Sequence, residues 1–171
     1  REFDYPRGDD NVFTHYDGRG GVPIGSLWRK LVFALRFGSY QILLSDAITS
    51  DSRIVFNRNI RERVRTIAPF LTFDRDPYLV LAGGKLYWFV DAYTTTSQYP
   101  YATPAARVNY IRNAVKATVD AYDGETRLYV FAPDDPIIAA YQRLFPALFR
   151  NASEMPSDLR RHARYPETLF R

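Results

Sequence analysis

The sequence predicts an α+β fold: a four-stranded, mainly antiparallel sheet built from two consecutive hairpins, with helices packed mainly on one face. Two observations carry the sheet. Apolar runs on either side of Gly83-Gly84 meet at a pair free to take the positive φ angles of a tight hairpin turn. A second alternating run, Val115 to Tyr122, reaches Asp123-Gly124 and returns through Leu128-Tyr129-Val130-Phe131. A third observation supplies the helices: apolar residues recur at helical spacing before the first hairpin and after the second. With 46% hydrophobic and 16% aromatic residues among 171, the chain has ample material for a core, which excludes wholesale disorder.

Residues 1–25 gather Pro6, Gly8, Gly18, Gly20, Gly21, Pro23 and Gly25, and read as an N-terminal arm preceding a single domain over 26–171. Ser26 is an N-cap for a helix through Trp28, Leu31, Val32 and Leu35, with Gly38 at the C-terminal cap and a short continuation over Gln41 to Ala47. Ile60, Val64 and Ile67 follow at i, i+4 and i+7, so a helix spans 57–68 and ends before Pro69.

In the first hairpin's returning strand, Leu86, Trp88, Val90 and Ala92 face one way and Tyr87, Phe89, Asp91 and Tyr93 the other. A strand with two largely apolar faces belongs inside a sheet covered on both sides. Thr94 to Pro104 is a proline-punctuated connection, and Arg107 to Asn113 suits a helical or an extended start. After the second hairpin, Asp135 caps and Pro136 starts a helix over 135–149, with a last short helix at Ser157 to Ala163.

Charge and composition narrow the chemistry. The net charge is +4, and Lys30, Lys85 and Lys116 are the only lysines, so nearly all the positive charge is arginine. Anionic partners suit this balance. The absence of cysteine excludes thiol catalysis, thiolate metal sites and disulfides within this chain. No apolar run reaches the roughly 18 residues of a bilayer span; Arg36 interrupts the best stretch, Leu31 to Leu44. The chain opens at Arg1-Glu2-Phe3 without a methionine and stops at Arg171, which predicts a segment of something longer.

Asp91 and Asp120 are the candidate paired carboxylates. They sit in an echoed Val-Asp-Ala-Tyr, at 90–93 and 119–122. Two acids close together in an apolar site split their pKa values and divide acid from base work; the structural alternative has each ending a strand and pairing with arginine or backbone N–H groups. Arg58, Arg61 and Arg65 would share one face of the helix over 57–68, opposite Ile60, Val64 and Ile67, where guanidinium groups hold an anionic envelope ligand or a lipid headgroup. Tyr93, Tyr99, Tyr101, Tyr110 and Tyr122, with Trp88, could line a groove for sugar or peptide, or form core.

Other patterns fail their chemical tests. In Gly18-Arg19-Gly20-Gly21-Val22-Pro23 a proline occupies the third glycine position of a dinucleotide loop. Asp9, Asp10, Asn11 and Asp17 match no calcium-loop spacing, and His15 and His162 stand at opposite ends, so no metal and no cofactor is expected. No serine elbow is present.

Several stretches together resemble a known family. They are FDYPRGDDNVFTHYDGRGGVPIGS (3–26), FALRFGSYQILLS (33–45), RERVRTIAPFL (61–71), LYWFVDAYTTTSQYPYA (86–102), NYIRNAVKATVDAYDG (109–124) and LRRHARYPETLF (159–170). The resemblance is to uncharacterised protein family 0182, large bacterial multi-pass membrane proteins. It implies that this segment belongs to their extracytoplasmic region, at the cell membrane, with the remainder of the same membrane protein as its first partner. The family carries no established activity, so it implies no catalytic residues. The leading expectation is therefore a non-enzymatic extracytoplasmic module for ligand or partner binding, or for scaffolding. The alternative is a cell-envelope hydrolase or transferase using Asp91 and Asp120, which needs the two carboxyls within roughly 10 Å of each other. Nucleic acid is not an expected partner, since it requires a continuous basic face.

Overall fold

The computed structural model describes residues 2–14, 16–103 and 107–169. The chain divides into two compact units, Arg1–Phe56 and Asn57–Arg171.

In the first unit, β1 (Glu2–Arg7) and β2 (Asp10–Thr14) form an antiparallel hairpin, and β3 (Val22–Pro23) pairs with β4 (Arg53–Ile54). Between these lie α1 (Leu27–Phe37) and the single turn α2 (Gln41–Leu44). The Ser26 side chain accepts from the Arg29 N–H at 3.3 Å, satisfying one of the donors a helix start leaves over. At the other end Gly38 takes a left-handed φ of 64°, and the Ser39 N–H donates to the Ala34 carbonyl at 3.0 Å. Arg53 closes the unit's irregular loop, donating to the carbonyls of Arg19, Gly20 and Gly21.

The second unit is organised on a six-stranded mixed sheet in the order β10–β9–β8–β7–β5, with β6 also on β7. Its strands are β5 (Thr72–Phe73), β6 (Tyr78–Ala82), β7 (Lys85–Thr96), β8 (Tyr110–Asp120), β9 (Thr126–Val130) and β10 (Phe149–Asn151), interleaved with α3 (Ile60–Ile67), α4 (Pro136–Leu144) and α5 (Ser157–Arg160). Gly83 and Gly84 both have positive φ, 55° and 75°, so β6 and β7 join by a two-residue turn whose twist matches the strands. The long β7 pairs along one edge first with β6 and then with β5, and along its other edge with β8.

Pairing Val90 with Ala117 and Ala92 with Val115 sets the register. It places Val90, Ala92, Val115, Ala117, Val119, Leu128 and Val130 on one face, where Val64 of α3 and Ile138 of α4 are fully buried against them. Phe89 and Tyr129 lie on the other face, packed with Val80, Met155 and Leu159. Burial on both faces explains why β7 is largely apolar on both sides, whereas the second face of β8 buries the polar side chains Lys116, Thr118 and Asp120.

The expected four-stranded sheet is therefore wrong in its extent and its pairing. The two hairpins are joined by β7–β8, but β5 and the parallel strand β10 extend the sheet to six strands, and two further two-stranded sheets occupy the first unit. Strands of two and three residues carry no period, so only their partners define them. The second turn is also longer than a tight Asp-Gly turn: 121–125 connects β8 to β9. Helical cover is not confined to one face either, since α3 and α4 pack on one side and α5 on the other.

Candidate functional site

Three buried polar clusters cross the second unit, all reached from neighbouring positions on β7 and β8. A register shift between Ala92 and Thr94 marks a β-bulge. Bulges re-aim side chains locally, and here consecutive residues Tyr93 and Thr94 serve different carboxylates.

The Tyr93 hydroxyl donates to Asp74 Oδ2, which also accepts from Thr168 Oγ1 at 2.7 Å; Oδ1 accepts from the Asp76 N–H at 3.0 Å. Burial of Asp74 opposes its charged form. The bonds from Tyr93, Thr168 and the Asp76 and Arg75 N–H groups outweigh that burial and hold its pKa below the ordinary carboxylate value. Burial, reinforced by the Asp74 carboxylate, pushes the Tyr93 phenol far above its usual range. A cleft of ≈ 480 Å³ opens beside this cluster, lined by Thr72, Phe73, Asp74, Arg75, Asp76, Tyr93, Ile111, Glu167 and Thr168.

Asp135 is fully buried and caps α4 through the Ile137 N–H at 3.1 Å. The same carboxylate accepts from Thr94 Oγ1 and, at 2.9 Å, from the Tyr110 hydroxyl. Burial, then the bond to Asp135, raises the Tyr110 pKa. Tyr110 stacks on Tyr99 with ring centroids 4.5 Å apart.

Lys116 is buried opposite Asp91 and donates to Asp91 Oδ1, to Asn113 Oδ1 at 3.2 Å and to the Arg164 carbonyl at 2.7 Å. Three acceptors match the three donors of an ammonium. Through Arg164 the pair also fastens the C-terminal segment: the Arg164 guanidinium lies 3.9 Å from the Tyr78 ring centre and bonds Asp76 at 3.1 Å.

The sequence-predicted residues are spread over this frame. Asp91 faces Lys116 and Asp120 faces Tyr87, so the two acids share a sheet face four register positions apart, roughly 13 Å along the strand. Asp120 Oδ1 accepts from the Tyr122 and Asp123 N–H groups at 2.8 and 2.9 Å and so fixes the turn. With one carboxyl held by an ammonium and the other by a turn, the close pair required for glycoside chemistry is not assembled. The echoed Val-Asp-Ala-Tyr also divides: 90–93 lies inside β7, whereas 119–122 runs off the end of β8.

The tyrosines do not form one groove. Tyr93 is buried and Tyr101 fully exposed, while Tyr99 stands by the Thr96–Tyr110 end of the β7–β8 pair. Tyr122 follows Asp120 at the opposite end, and β7 from Tyr87 to Thr96 spans about 30 Å. Arg61 and Arg65 lie one turn apart on α3, but Arg58 precedes the cap Asn59 and is outside the helix. Arg63 is engaged structurally, donating to the carbonyls of Asn57 and Gly124 at 3.0 and 2.8 Å. Among the described residues no group of three or more His, Asp or Glu side chains could hold a metal ion, and no helix is long and apolar enough to cross a membrane. His15 lies outside the described residues.

Asp74 and Thr168 escape a sequence reading because they meet only through the fold, 94 positions apart. Lys116 left no clear signal either: it alternates with Val115 and Ala117 on the same side as Thr118 and Asp120, a pattern that reads as a solvated face.

The fold is that of an α+β module with a polar layer saturated from within. The chain belongs to the uncharacterised protein family UPF0182, whose profile matches residues 1–171. It is 56% identical to a UPF0182 protein of Solibacter usitatus, over 99% of this chain and 19% of that protein. To relatives from Synechococcus sp. (strain JA-2-3B'a(2-13)) and Methanospirillum hungatei it is 53% and 51% identical, over 100% and 99% of this chain and 20% of each relative. The chain thus spans about a fifth of the length of the curated relatives it matches, and is part of a larger protein. No solved structure matches it.

Proposed function

We propose that the chain is a non-catalytic docking module of a larger membrane-anchored protein, held on the extracytoplasmic side. It engages the rest of its own polypeptide, or a partner, through an apolar face of α1. One observation carries this reading: Leu27, Trp28, Leu31, Val32 and Leu35 are all exposed on a single helix. A contiguous apolar surface of that kind is a contact surface rather than ordinary scatter. The saturated state of Asp74, Asp91 and Asp135 supports a structural role for the buried carboxylates. The membrane setting is supported by the family resemblance of the sequence motifs.

The test uses the full-length protein in cells, with Leu31→Cys as its sole cysteine and Arg58→Cys as an exposed reference. A membrane-impermeant maleimide should label position 58 readily and position 31 far more slowly. Equal labelling at the two positions would remove the docking role. Recovery of the full-length protein in the soluble fraction would remove the membrane setting.

A further inference from the structure

We infer that α1 is an interfacial helix whose exposed face lies in the headgroup region of an anionic lipid bilayer. This names the partner of the docking face and rests on that reading.

Steps of about 100° per residue place Leu27, Leu31, Leu35, Trp28 and Val32 on one arc of roughly 140°. The structure leaves this arc open: Leu27, Trp28 and Leu35 are 80%, 72% and 76% exposed. A different arc serves the fold. Ala34 is buried, Phe33 meets Phe56 with ring centroids 6.3 Å apart, and Lys30 Nζ bonds the Ile48 carbonyl at 2.9 Å. The helix therefore has two apolar sides, and its own unit covers only one.

Charge selects the occupant. From Ser26 to Ser45 there are three basic residues, Arg29, Lys30 and Arg36, and no acidic one. Arg29 and Arg36 follow Val32 around the helix and border the open arc. Arg29 also bonds the Pro23 carbonyl at 3.2 Å, which holds it beside the arc. Leu and Trp below a rim of guanidinium groups is what a bilayer surface takes. Past the helix, Tyr40 and Leu44 are exposed as well. An eleven-residue helix, about 16 Å long, cannot cross a bilayer but is sufficient to lie in its surface.

The experiment uses the 171-residue chain with vesicles of phosphatidylcholine alone and of phosphatidylcholine with one quarter phosphatidylglycerol. Co-sedimentation is expected with the anionic vesicles, accompanied by a blue shift of tryptophan emission. Trp88→Phe should keep that shift and Trp28→Phe should abolish it. Leu31→Asp with Leu35→Asp is expected to lower the partition coefficient by at least about a hundredfold, and Arg29→Gln with Arg36→Gln by about tenfold. Circular dichroism checks that each variant keeps the parent fold.

Sedimentation with neither vesicle, or binding indifferent to the leucine substitutions, overturns the lipid assignment. So does a concentration-dependent dimer that Leu35→Asp dissociates, which would make a second copy the occupant. If vesicle binding fails while position 31 stays protected in the full-length protein, the docking role stands and only its lipid partner is lost.

Discussion

Lys116 lies directly across the β7–β8 register from Asp91, and its ammonium is bonded to that carboxylate inside the sheet's covered face. The side chains are only 7% and 5% exposed, so neither charge has water as an alternative partner. Their attraction must offset the loss of hydration of both groups, which makes the pair costly to break and of little net value when intact.

Lys116→Met should therefore cost about 3–5 kcal/mol, because it strands the Asp91 carboxylate without its counterion. Adding Asp91→Leu to the same chain should recover most of that loss. Urea unfolding of the two single variants and the double variant measures the difference. A double variant as unstable as Lys116→Met would show that the pair contributes through geometry rather than charge.

The Asp74–Tyr93 cluster predicts opposite behaviour at the two ends of the pH scale. Asp74 is held below its ordinary pKa, so it contributes stability above the unfolded-state value and loses it as pH falls through the lower folded one. Asp74→Asn should then flatten stability below about pH 4 relative to the parent. Tyr93 is held above its ordinary value, so its contribution is complete below about pH 10 and is lost as pH rises through the higher folded value. Tyr93→Phe should remove that alkaline loss. Thermal unfolding followed from pH 2 to pH 11 reads the acid limb and the onset of the alkaline one.

Legibility follows the length over which a period can repeat. The β6–β7 and β8–β9 hairpins are readable because each strand alternates over several residues and a glycine marks each turn. The α1 and α4 caps are readable because Ser26 and Asp135 act on N–H groups two or three residues away, whereas the Asn59 cap of α3 lies inside the stretch read as helix. Short β5 and β10 are not, and Pro6 with the charges of 1–10 hides the β1–β2 hairpin. The buried clusters are least legible, since hydroxyl–carboxylate contacts such as Thr168–Asp74 follow from tertiary closure and leave no spacing behind. Trp28, Leu31, Val32 and Leu35 show the converse limit: their helical spacing is visible, but spacing does not say whether the fold covers them.

Asp135 has more duties than an ordinary helix cap, and its removal should show it. A lost cap alone costs about 1 kcal/mol. Asp135→Ala also removes the Tyr110 acceptor and leaves the fully buried Thr94 hydroxyl with only the long 3.4 Å contact to the Arg112 carbonyl. The expected total is about 3 kcal/mol. In combination with Thr94→Val the two losses should fall short of additivity by roughly 1 kcal/mol, the signature of a shared bond.

The covered and uncovered parts of the same sheet face give the last contrast. Ile138 of α4 is completely buried against Leu128, Val130 and their neighbours, whereas Leu81 of β6 is 63% exposed beyond the reach of that cluster. Truncating Ile138 to alanine removes three carbons from a close-packed site and leaves a cavity, for an expected loss of about 2–5 kcal/mol. Leu81→Ala removes the same number of carbons from a place already in contact with water, and should change stability by no more than about 0.5 kcal/mol. Denaturant midpoints of the two variants test the assignment directly. Comparable losses would mean that Leu81 is covered in solution, and that the sheet's apolar face is larger than α3 and α4 alone can shield.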